Sequence, residues 1–171
     1  MPSPSKHDPP SLLLGVVSDT HGDLERTRAA AMMLEELAVD VVLHCGDIGS
    51  VEVVRLFEPW PTHYVLGNCD YDSDPLRHAI AAAGHTLHNR FGSLELAGLR
   101  IAFLHGDDSR RLHDTIVDGQ WSLVCHGHTH VARQTWEGDT LVLNPGAIHR
   151  ANPHSIAAVE LPRRKVHIVS I

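Results

Sequence analysis

The sequence predicts an α/β (α+β) fold of four layers, in which two mixed β-sheets pack together and are flanked by helices. In the first half of the chain, apolar runs alternate with segments of helical periodicity, which is typical of parallel strands with helices outside them. In the second half, short apolar runs are joined by turns, which indicates antiparallel hairpins. Polar clusters follow five of the apolar runs, so we expect the functional site at strand ends.

The first half predicts three strands and three helices. Apolar runs at residues 12–17, 39–43 and 63–66 have the length of buried strands. Helical spacing and helix-start residues define the segments that follow them. These predicted helices span residues 23–37, 50–57 with Ser50 as N-cap, and 74–83 with Pro75 in the first turn.

The second half predicts three hairpins with one helix and one further strand between them. The paired strands are 94–96 with 100–104, 131–136 with 140–143, and 156–160 with 166–169. A short helix over residues 109–117 leads into a strand at 123–125. We find no internal repeat and no linker, and therefore predict a single domain over residues 11–171. The first ten residues contain four prolines, so we expect residues 1–10 to form a disordered lead-in.

Composition excludes several kinds of partner. The chain has 171 residues and a formal net charge of −7, which argues against stable binding to nucleic acid or to anionic membranes. No apolar stretch approaches the roughly 18 residues that cross a bilayer, and the N-terminus lacks the layout of a secretion signal. Three cysteines offer no even disulfide framework. We therefore expect a cytoplasmic protein.

Five polar clusters carry side chains that bind divalent metals. Together they offer two carboxylates, one amide and four imidazoles, which is too many ligands for one ion and about right for two. The clusters are Asp19-Thr20-His21, Gly46-Asp47, Gly67-Asn68-Cys69-Asp70, His105-Gly106 and Gly127-His128-Thr129-His130. Because each follows a predicted core strand, we expect them to converge on one sheet edge and to form a dinuclear hydrolytic centre.

Spacing suggests how the ligands are shared. Asp19 and His21 are two residues apart, so on an extended chain both side chains point the same way and grip one ion. His128 and His130 have the same spacing. Asp47 is our choice for the carboxylate that bridges both ions, since Gly46 permits close approach of the backbone there.

The ligand chemistry also bears on the metal and the substrate. Two divalent ions, two carboxylates and one hydroxide leave the centre with a charge of about +1, which suits a phosphate ester. The nitrogen-rich set favours transition metals, namely Mn, Ni, Co, Fe or Zn, over Mg and Ca. We therefore expect two divalent transition-metal ions as cofactors, with Mn as our first choice, and a phosphate ester as substrate; the resemblance described next narrows this to a small phosphodiester.

From about Leu12 to the C-terminus, the five clusters in this order resemble the calcineurin-like metallophosphoesterase superfamily, and within it the small single-domain prokaryotic phosphodiesterases. Asn144-Pro145-Gly146-Ala147 is similar to a late turn of that branch. The resemblance implies two β-sheets flanked by helices and in-line attack on phosphorus by a metal-bound hydroxide. It implies one ion held by Asp19, His21, Asp47 and His130, and another held by Asp47, Asn68, His105 and His128.

One position departs from much of the superfamily. Many members carry histidine after the Gly-Asn pair, where it assists the leaving group, whereas this chain has Cys69; the small-phosphodiesterase branch commonly shows cysteine there. A thiol with a reference pKa near ~8.5 replaces an imidazolium poorly, so esters with good leaving groups would suffer least. Cys69 either packs and orients neighbouring groups or has a direct chemical role. We expect Asp70 to orient its neighbours by hydrogen bonds, and we assign the catalytic roles to Asp47, Asn68, His105 and Asp70.

Other polar residues near the clusters have two interpretations each. Arg110 or Arg111 clamps a phosphate oxygen, or both belong to a solvated first helical turn. Tyr71 stacks on an aromatic part of the substrate, or packs at the rim of the pocket. His44 and His126 adjoin predicted ligands, but strand alternation points them elsewhere and we expect structural roles.

Two rival functions stay open on the sequence. A metal-stabilised interaction module is one, because a retromer subunit of eukaryotic cells has the fold of this superfamily and serves as a scaffold. A phosphomonoesterase is the other, although Cys69 and the short chain weigh against it. An exposed edge strand or helix would also permit a homodimer or a higher homo-oligomer.

Overall fold

The computed structural model describes residues 11–171, so the expected lead-in at residues 1–10 lies outside the described residues. The described chain forms eleven strands and four helices. In chain order these are β1 (Leu12–Val17), α1 (Leu24–Glu36), β2 (Val41–His44), α2 (Val51–Leu56), β3 (Thr62–Tyr64), α3 (Asp74–Ala82), β4 (Thr86–Leu87), β5 (Phe91–Leu96), β6 (Leu99–Leu104), α4 (Ser109–Val117), β7 (Leu123–Cys125), β8 (Arg133–Glu137), β9 (Thr140–Asn144), β10 (Ser155–Leu161) and β11 (Lys165–Ser170).

The strands form two mixed sheets, which confirms the predicted fold class. The first sheet has the order β11-β10-β1-β2-β3-β4. Strands β1 to β4 are parallel to one another, and β10 is antiparallel to both of its neighbours, β1 and β11. The second has the order β5-β6-β7-β9-β8, with β6, β7 and β9 parallel between antiparallel β5 and β8. The βαβ crossovers of the first half thus build the parallel part, and the hairpins of the second half close both sheets.

Alternation of side chains along the strands separates the layers. On β1, Leu14 and Val16 enter the core between the two sheets, together with Leu43 of β2 and Phe103 of β6. Val17 faces the other way, into the core that α1, α2 and α3 cover. Across the second sheet, Ala102, Leu104 and Val124 pack against α4. The order of layers is therefore helices, sheet, sheet, helix.

Close packing between α1 and the first sheet depends on a glycine. A Cβ atom on Gly15 of β1 would lie 2.8 Å from Cδ2 of Leu34, which is fully buried in α1. Protein interiors pack as densely as organic crystals, so such an overlap would push the helix away from the sheet. The Leu12–Val17 strand therefore combines bulky residues facing the inter-sheet core with a small residue under the helix.

Aspartates cap two of the helices, while the predicted cap Ser50 does not act through its side chain. The Asp23 carboxylate accepts a hydrogen bond from the Arg26 N–H, and the Asp108 carboxylate accepts one from the Arg111 N–H. Ser50 occupies the N-cap position of α2 but makes no side-chain capping bond. In the described residues, no helix combines the length and the apolar character needed to cross a membrane.

Strand register brings the ends of the parallel strands into line. Val17, at the end of β1, pairs with His44, which pairs with Tyr64 at the end of β3. In the second sheet, Phe103 pairs with Cys125. The loops that follow these strands therefore leave both sheets at one edge, and the five polar clusters lie in those loops.

Candidate metal centre

Five of the seven predicted metal ligands meet at this edge. Their ligand atoms form two groups in which every pair lies within 4.8 Å: one of Asp19, His21 and His130, and one of Asp19, Asp47 and His105. A third such group joins His21, Asp47 and the thiol of Cys69. Since Asp19, Asp47 and His21 each belong to two groups, the groups overlap and form one continuous cluster of donors.

The two oxygens of the Asp47 carboxylate have different partners: one is fixed by the backbone, and the other faces the imidazoles. Oδ1 accepts a hydrogen bond of 2.8 Å from the backbone N–H of Cys69. Oδ2 lies 3.5 Å from Nε2 of His21 and 3.3 Å from Nε2 of His105. A single oxygen thus stands between imidazoles from two different loops, which is the arrangement that a bridging carboxylate requires.

Asp19 is arranged in the same way. Its Oδ2 accepts hydrogen bonds from the Ser18 hydroxyl at 2.6 Å and from the His128 N–H at 3.1 Å. Its Oδ1 lies 3.1 Å from Nε2 of His130 and 3.6 Å from Nε2 of His21. The carboxylate is completely buried, so it is held rigidly with one oxygen presented to the imidazoles.

Backbone carbonyls orient two of the imidazoles. Nδ1 of His105 lies 2.8 Å from the carbonyl oxygen of Cys45, and Nδ1 of His130 lies 3.1 Å from that of Arg150. Because a carbonyl oxygen only accepts, each Nδ1 must carry the proton and donate it. The lone pair of each neutral ring is then on Nε2, which faces the carboxylates and is the form that binds a metal.

The remaining two predicted ligands lie beside this cluster. His128 is exposed, and its ring packs edge-on against His105 with 5.1 Å between the ring centroids. Asn68 is exposed in the loop after β3, directly before Cys69, whose N–H binds Asp47. His130 therefore groups with Asp19 and His21, whereas His128 adjoins His105.

The prediction of an extended chain at Asp19 and His21, and at His128 and His130, is wrong. Strand β1 ends at Val17, and Asp19 and His21 have φ values of 56° and 44°. His128 and His130 have φ values of 68° and 59°. These residues occupy the left-handed region, which costs roughly 1–2 kcal/mol for a side chain other than glycine. Such strain concentrates at functional sites.

Unpaired buried atoms show that the cluster suits a cation. Oδ1 of Asp19, Nε2 of His21 and Nε2 of His105 are buried without a hydrogen-bond partner among the described residues. Buried polar groups are nearly always paired, and each orphan costs roughly 1–3 kcal/mol. A carboxylate oxygen that faces imidazole lone pairs has no proton between itself and those nitrogens, but the oxygen and the nitrogens together can bind a divalent metal ion. The donors therefore fit the cofactor that the sequence predicts.

The ionisation of the cluster agrees with this chemistry. Burial alone would raise the pKa of Asp47, but the nearby His105 imidazole and the hydrogen bond from the Cys69 N–H bring it well below its usual range. Burial lowers the pKa of His21 more than the two carboxylates raise it. Burial also acts to lower the pKa of His105, yet Asp47 and Asp19 raise it overall. The Asp47 carboxylate is thus held as an anion.

Asp70 supports the cluster from behind. Its carboxylate accepts hydrogen bonds from three backbone N–H groups, those of Ile48, Gly49 and Gly67, at 2.9 to 3.2 Å. These bonds join the loop that carries Asp47 to the loop that carries Asn68. Asp70 is buried and belongs to none of the three close groups of ligand atoms.

Glycines allow the loops to approach each other. A Cβ atom on Gly67 would overlap the Asp47 carboxylate, and one on Gly127 would overlap the Ser18 hydroxyl and Asp19. Gly46 has a φ of 96°, and a Cβ there would lie 2.8 Å from Nδ1 of His105. The glycines of the predicted motifs are thus needed for contact between ligand loops.

The supporting roles of Ser18 and Asn144 could not be derived from the sequence. Ser18 gave no signal beyond its place before Asp19, although its hydroxyl anchors that carboxylate. Asn144, from the late turn noted above, donates to the Gly127 carbonyl and to the Thr129 hydroxyl, and so braces the loop of His128 and His130.

His149 also lies nearer the site than its sequence position indicates. Its Nδ1 is 2.9 Å from Oδ2 of Asp23, and its ring centroid is 5.6 Å from that of His21. The contact joins the loop after β9 to the start of α1. No pattern in the sequence links residues 126 positions apart.

The other polar residues weighed above occupy different places. Arg111 stacks over Phe91, and Arg110 is exposed on α4. The His44 ring is buried and bonds to the Thr20 hydroxyl, and His126 lies near Asn144. Tyr71 is 89% exposed, so little of its ring packs against the rest of the chain.

Comparisons with known proteins agree with this geometry. A model of the calcineurin-like phosphoesterase superfamily domain matches residues 12–163. Phosphodiesterase MJ0936 of Methanocaldococcus jannaschii is 31% identical over 136 residues, which cover 78% of this chain and 82% of that protein. The solved structure of an archaeal phosphodiesterase superposes with a TM-score of 0.87 at 26% identity, and the match covers 94% of this chain and all of that one.

A similar fold occurs in a protein named for vacuolar sorting. Vacuolar protein sorting 29 from Cryptosporidium parvum superposes with a TM-score of 0.65 at 17% identity, over 94% of this chain and 97% of that one. At this identity the likeness shows a shared fold alone.

Proposed function

Because the chain belongs to the calcineurin-like phosphoesterase superfamily, a family of hydrolases, we propose that it is a phosphodiesterase that depends on two divalent metal ions and hydrolyses a small phosphodiester. The observation that carries this proposal is the pairing of two buried carboxylates. Each has one oxygen fixed by N–H or O–H donors and leaves the other among imidazole nitrogens. A cluster built in this way holds cations between rigid anionic groups.

The residues divide between two neighbouring ion positions. Asp19, His21 and His130 would hold one ion, and His105, His128 and Asn68 would hold the other, with Oδ2 of Asp47 shared. When bound, such ions supply the positive charge that stabilises the phosphoryl transition state and activate water for attack on phosphorus. The nitrogen-rich set favours transition metals, with Mn first and Ni, Co, Fe and Zn as alternatives.

The chain's own groups fix this arrangement. Hydrogen bonds to the Cys45 and Arg150 carbonyls keep two imidazoles turned toward the carboxylates. Asp70 positions the loops of Asp47 and Asn68 through their backbone N–H groups and does not itself enter the cluster. Asp47, Asn68 and His105 would contact the ions, whereas Asp70 acts through the loops that it joins.

A diester is the better substrate on two grounds. Near neutral pH a diester carries one negative charge, which matches the charge of about +1 expected for the metal centre, whereas a monoester carries two. The site also has Cys69 at the position where an imidazolium would help a poor leaving group depart. The relative with 31% identity is named a phosphodiesterase. The phosphomonoesterase and the metal-stabilised interaction module are less well supported, since that relative is named for neither role.

Further expectations from the sequence stay proposals. We propose a single domain over residues 11–171, a cytoplasmic location, no stable binding of nucleic acid, and assembly into homodimers or higher homo-oligomers through an exposed edge. The three cysteines are free in the described chain, which agrees with a reducing compartment.

Metal analysis followed by a rate screen tests the proposal. The full chain should bind about two equivalents of Mn, and bis(p-nitrophenyl) phosphate should be hydrolysed faster than p-nitrophenyl phosphate. Chelation should abolish both activities, and Mn should restore them. A chain that binds metal stoichiometrically but cleaves neither ester would contradict the catalytic proposal and favour an interaction module.

A further inference from the structure

Besides the metal cluster, the molecule has a groove that opens beside it. The groove lies between the start of α2 and the start of α3 and has a volume of about 300 Å³. Its walls are three short segments of chain: residues 49–51, residues 69–72, and Pro75 with Leu76. We name it the Tyr71 groove.

The Tyr71 groove is continuous with the cluster. Cys69 lines it, and the Cys69 thiol lies within 4.8 Å of ligand atoms of His21 and Asp47. Gly49, which also lines the groove, packs so closely against the backbone of His21 that a Cβ atom there would overlap it. A phosphoryl group bound at the cluster would therefore have this groove directly beside it.

Two other grooves near the ligand loops are less suitable. The one beside His105 measures only about 80 Å³, and its Arg90 is paired with Asp107. A larger groove of about 510 Å³ lies between α4 and the second sheet, and no member of the three close groups of ligand atoms lines it. Ligand pockets typically measure roughly 300 to 1,000 Å³, so of these three grooves the Tyr71 groove combines sufficient volume with contact to the cluster.

The walls of the groove select the chemistry of an occupant. Tyr71 is 89% exposed, whereas aromatic rings of folded proteins usually bury most of their area. Val51, Pro75 and Leu76 add apolar surface. Among the described residues that line the groove, none is a lysine or arginine, while Asp70 and Asp72 are acidic. Such walls favour a flat, uncharged ring and disfavour a second anionic group.

We propose that the Tyr71 groove is a substrate subsite that receives one uncharged aromatic substituent of the phosphodiester, by stacking on Tyr71. The proposal rests on the proposed function and names its substrate class: diesters with an aryl or nucleoside group, in preference to alkyl diesters or to esters with further phosphates beyond the scissile one. Stacking of a base on an aromatic side chain contributes enough for roughly a tenfold preference.

Binding of methylphosphinates to the Mn-loaded full chain tests the subsite by calorimetry, because a phosphinate carries one negative charge, as a diester does, and has no ester bond to hydrolyse. Phenyl(methyl)phosphinate should bind about tenfold more tightly than dimethylphosphinate, and the 4-carboxyphenyl compound should bind more weakly than the phenyl compound. Tyr71→Ala should remove most of the phenyl preference, and Tyr71→Phe should retain it. Asp72→Asn should reduce the discrimination against the carboxylate. Met32→Ala, which removes a side chain 70% exposed outside the groove, is the matched control.

The possible outcomes separate this inference from the proposed function. Equal binding of the phenyl and methyl compounds, absence of binding by either, or a phenyl preference that survives in Tyr71→Ala would overturn the subsite. Hydrolysis of bis(p-nitrophenyl) phosphate is measured separately on the same samples. A phenyl preference without hydrolysis would uphold the groove and overturn the phosphodiesterase proposal, whereas hydrolysis without the preference would do the reverse.

Discussion

Oδ2 of Asp47 lies 3.3 Å from Nε2 of His105. The neutral His105 ring has one N–H proton, which Nδ1 donates to the Cys45 carbonyl, so Nε2 has no proton to donate to Asp47. The two groups come from loops of different sheets and are both buried. Two lone pairs facing each other in a buried site repel unless a cation or a proton stands between them. This contact therefore links the packing of the two sheets to metal binding.

Asp47→Asn should reduce the bound metal from two ions to one or none and lower the rate on an activated diester at least about 100-fold, since even a residue behind the ligands typically costs 10–100-fold. The amide keeps the size of the side chain but removes the charge shared by both ion positions. Metal analysis and initial rates check this, with the exposed Asp114→Asn as control. Two retained ions would show that Asp47 does not bridge.

Gly127→Ala should disturb the site by crowding. The added methyl group would overlap the Ser18 hydroxyl and Asp19, so we expect a loss of about 1–3 kcal/mol in the free energy of unfolding together with a lower metal content. Gly84→Ala is the control for crowding, because Gly84 has open space around it; its φ of 74° adds a backbone strain that Gly127 does not have. That variant should lose about 1 kcal/mol and keep its metal; equal metal loss in both would refute the steric explanation.

Asp70→Asn should weaken the scaffold of the cluster. In the unmodified chain three backbone N–H groups donate to the Asp70 carboxylate, and in the variant the amide nitrogen would face one or more of these donors. Hydrogen bonds to charged groups contribute roughly 1.5–3 kcal/mol each. We expect the free energy of unfolding to fall by about 2–3 kcal/mol and the affinity for metal to fall roughly 10–100-fold. Asp72→Asn, two residues away and exposed, should change stability by less than about 0.5 kcal/mol.

Much of the fold could be predicted because periodicity and strand length are local properties. The boundaries of β1 and α4 agree with expectation, and the three hairpins are present. Strand β4 was missed, since Thr86–Leu87 is too short to show alternation and exists only through its pairing with β3. Ser50 was expected to cap α2 with its side chain, but residue type alone does not fix a rotamer.

The candidate site was predictable in its members but not in its geometry. Residue type and position after strands identify Asp19, Asp47 and His105, which the structure brings together. The left-handed backbone at Asp19 and His21 was not foreseen, because spacing of two residues suits an extended chain as well. Contacts such as the hydrogen bond from Asn144 to Gly127 join loops from distant parts of the sequence, and the pattern of a single sequence does not predict such contacts.

Cys69→Ala should retain both metal ions and change the rate on an activated diester by less than about threefold, a change of under 1 kcal/mol. The bond from residue 69 to Asp47 comes from the backbone N–H, which alanine keeps. Metal analysis and thermal stability with and without Mn check this. Loss of one ion in the variant would show instead that the thiol, which lies within 4.8 Å of His21 and Asp47 ligand atoms, is itself a metal ligand.

A histidine pair away from the cluster should make the fold sensitive to mild acid. Nδ1 of His63 lies 3.0 Å from Nε2 of His88. Burial lowers the pKa of both, and proximity to His88 and His85 lowers that of His63 further. Since both are protonated more readily in the unfolded chain, their contribution to stability is complete above about pH 6.5 and declines as the pH falls below that value.

Replacing the pair should flatten this dependence. The double variant His63→Asn with His88→Gln keeps one neutral hydrogen bond without a titrating group, so its free energy of unfolding should fall less between pH 7.5 and 5.5, measured by urea denaturation at about 0.5-unit steps. Part of the slope should remain, because burial also lowers the pKa of His44 and His126. The exposed His78→Gln controls for loss of a histidine. A slope in the double variant as steep as in the unmodified chain would exclude the pair as its source.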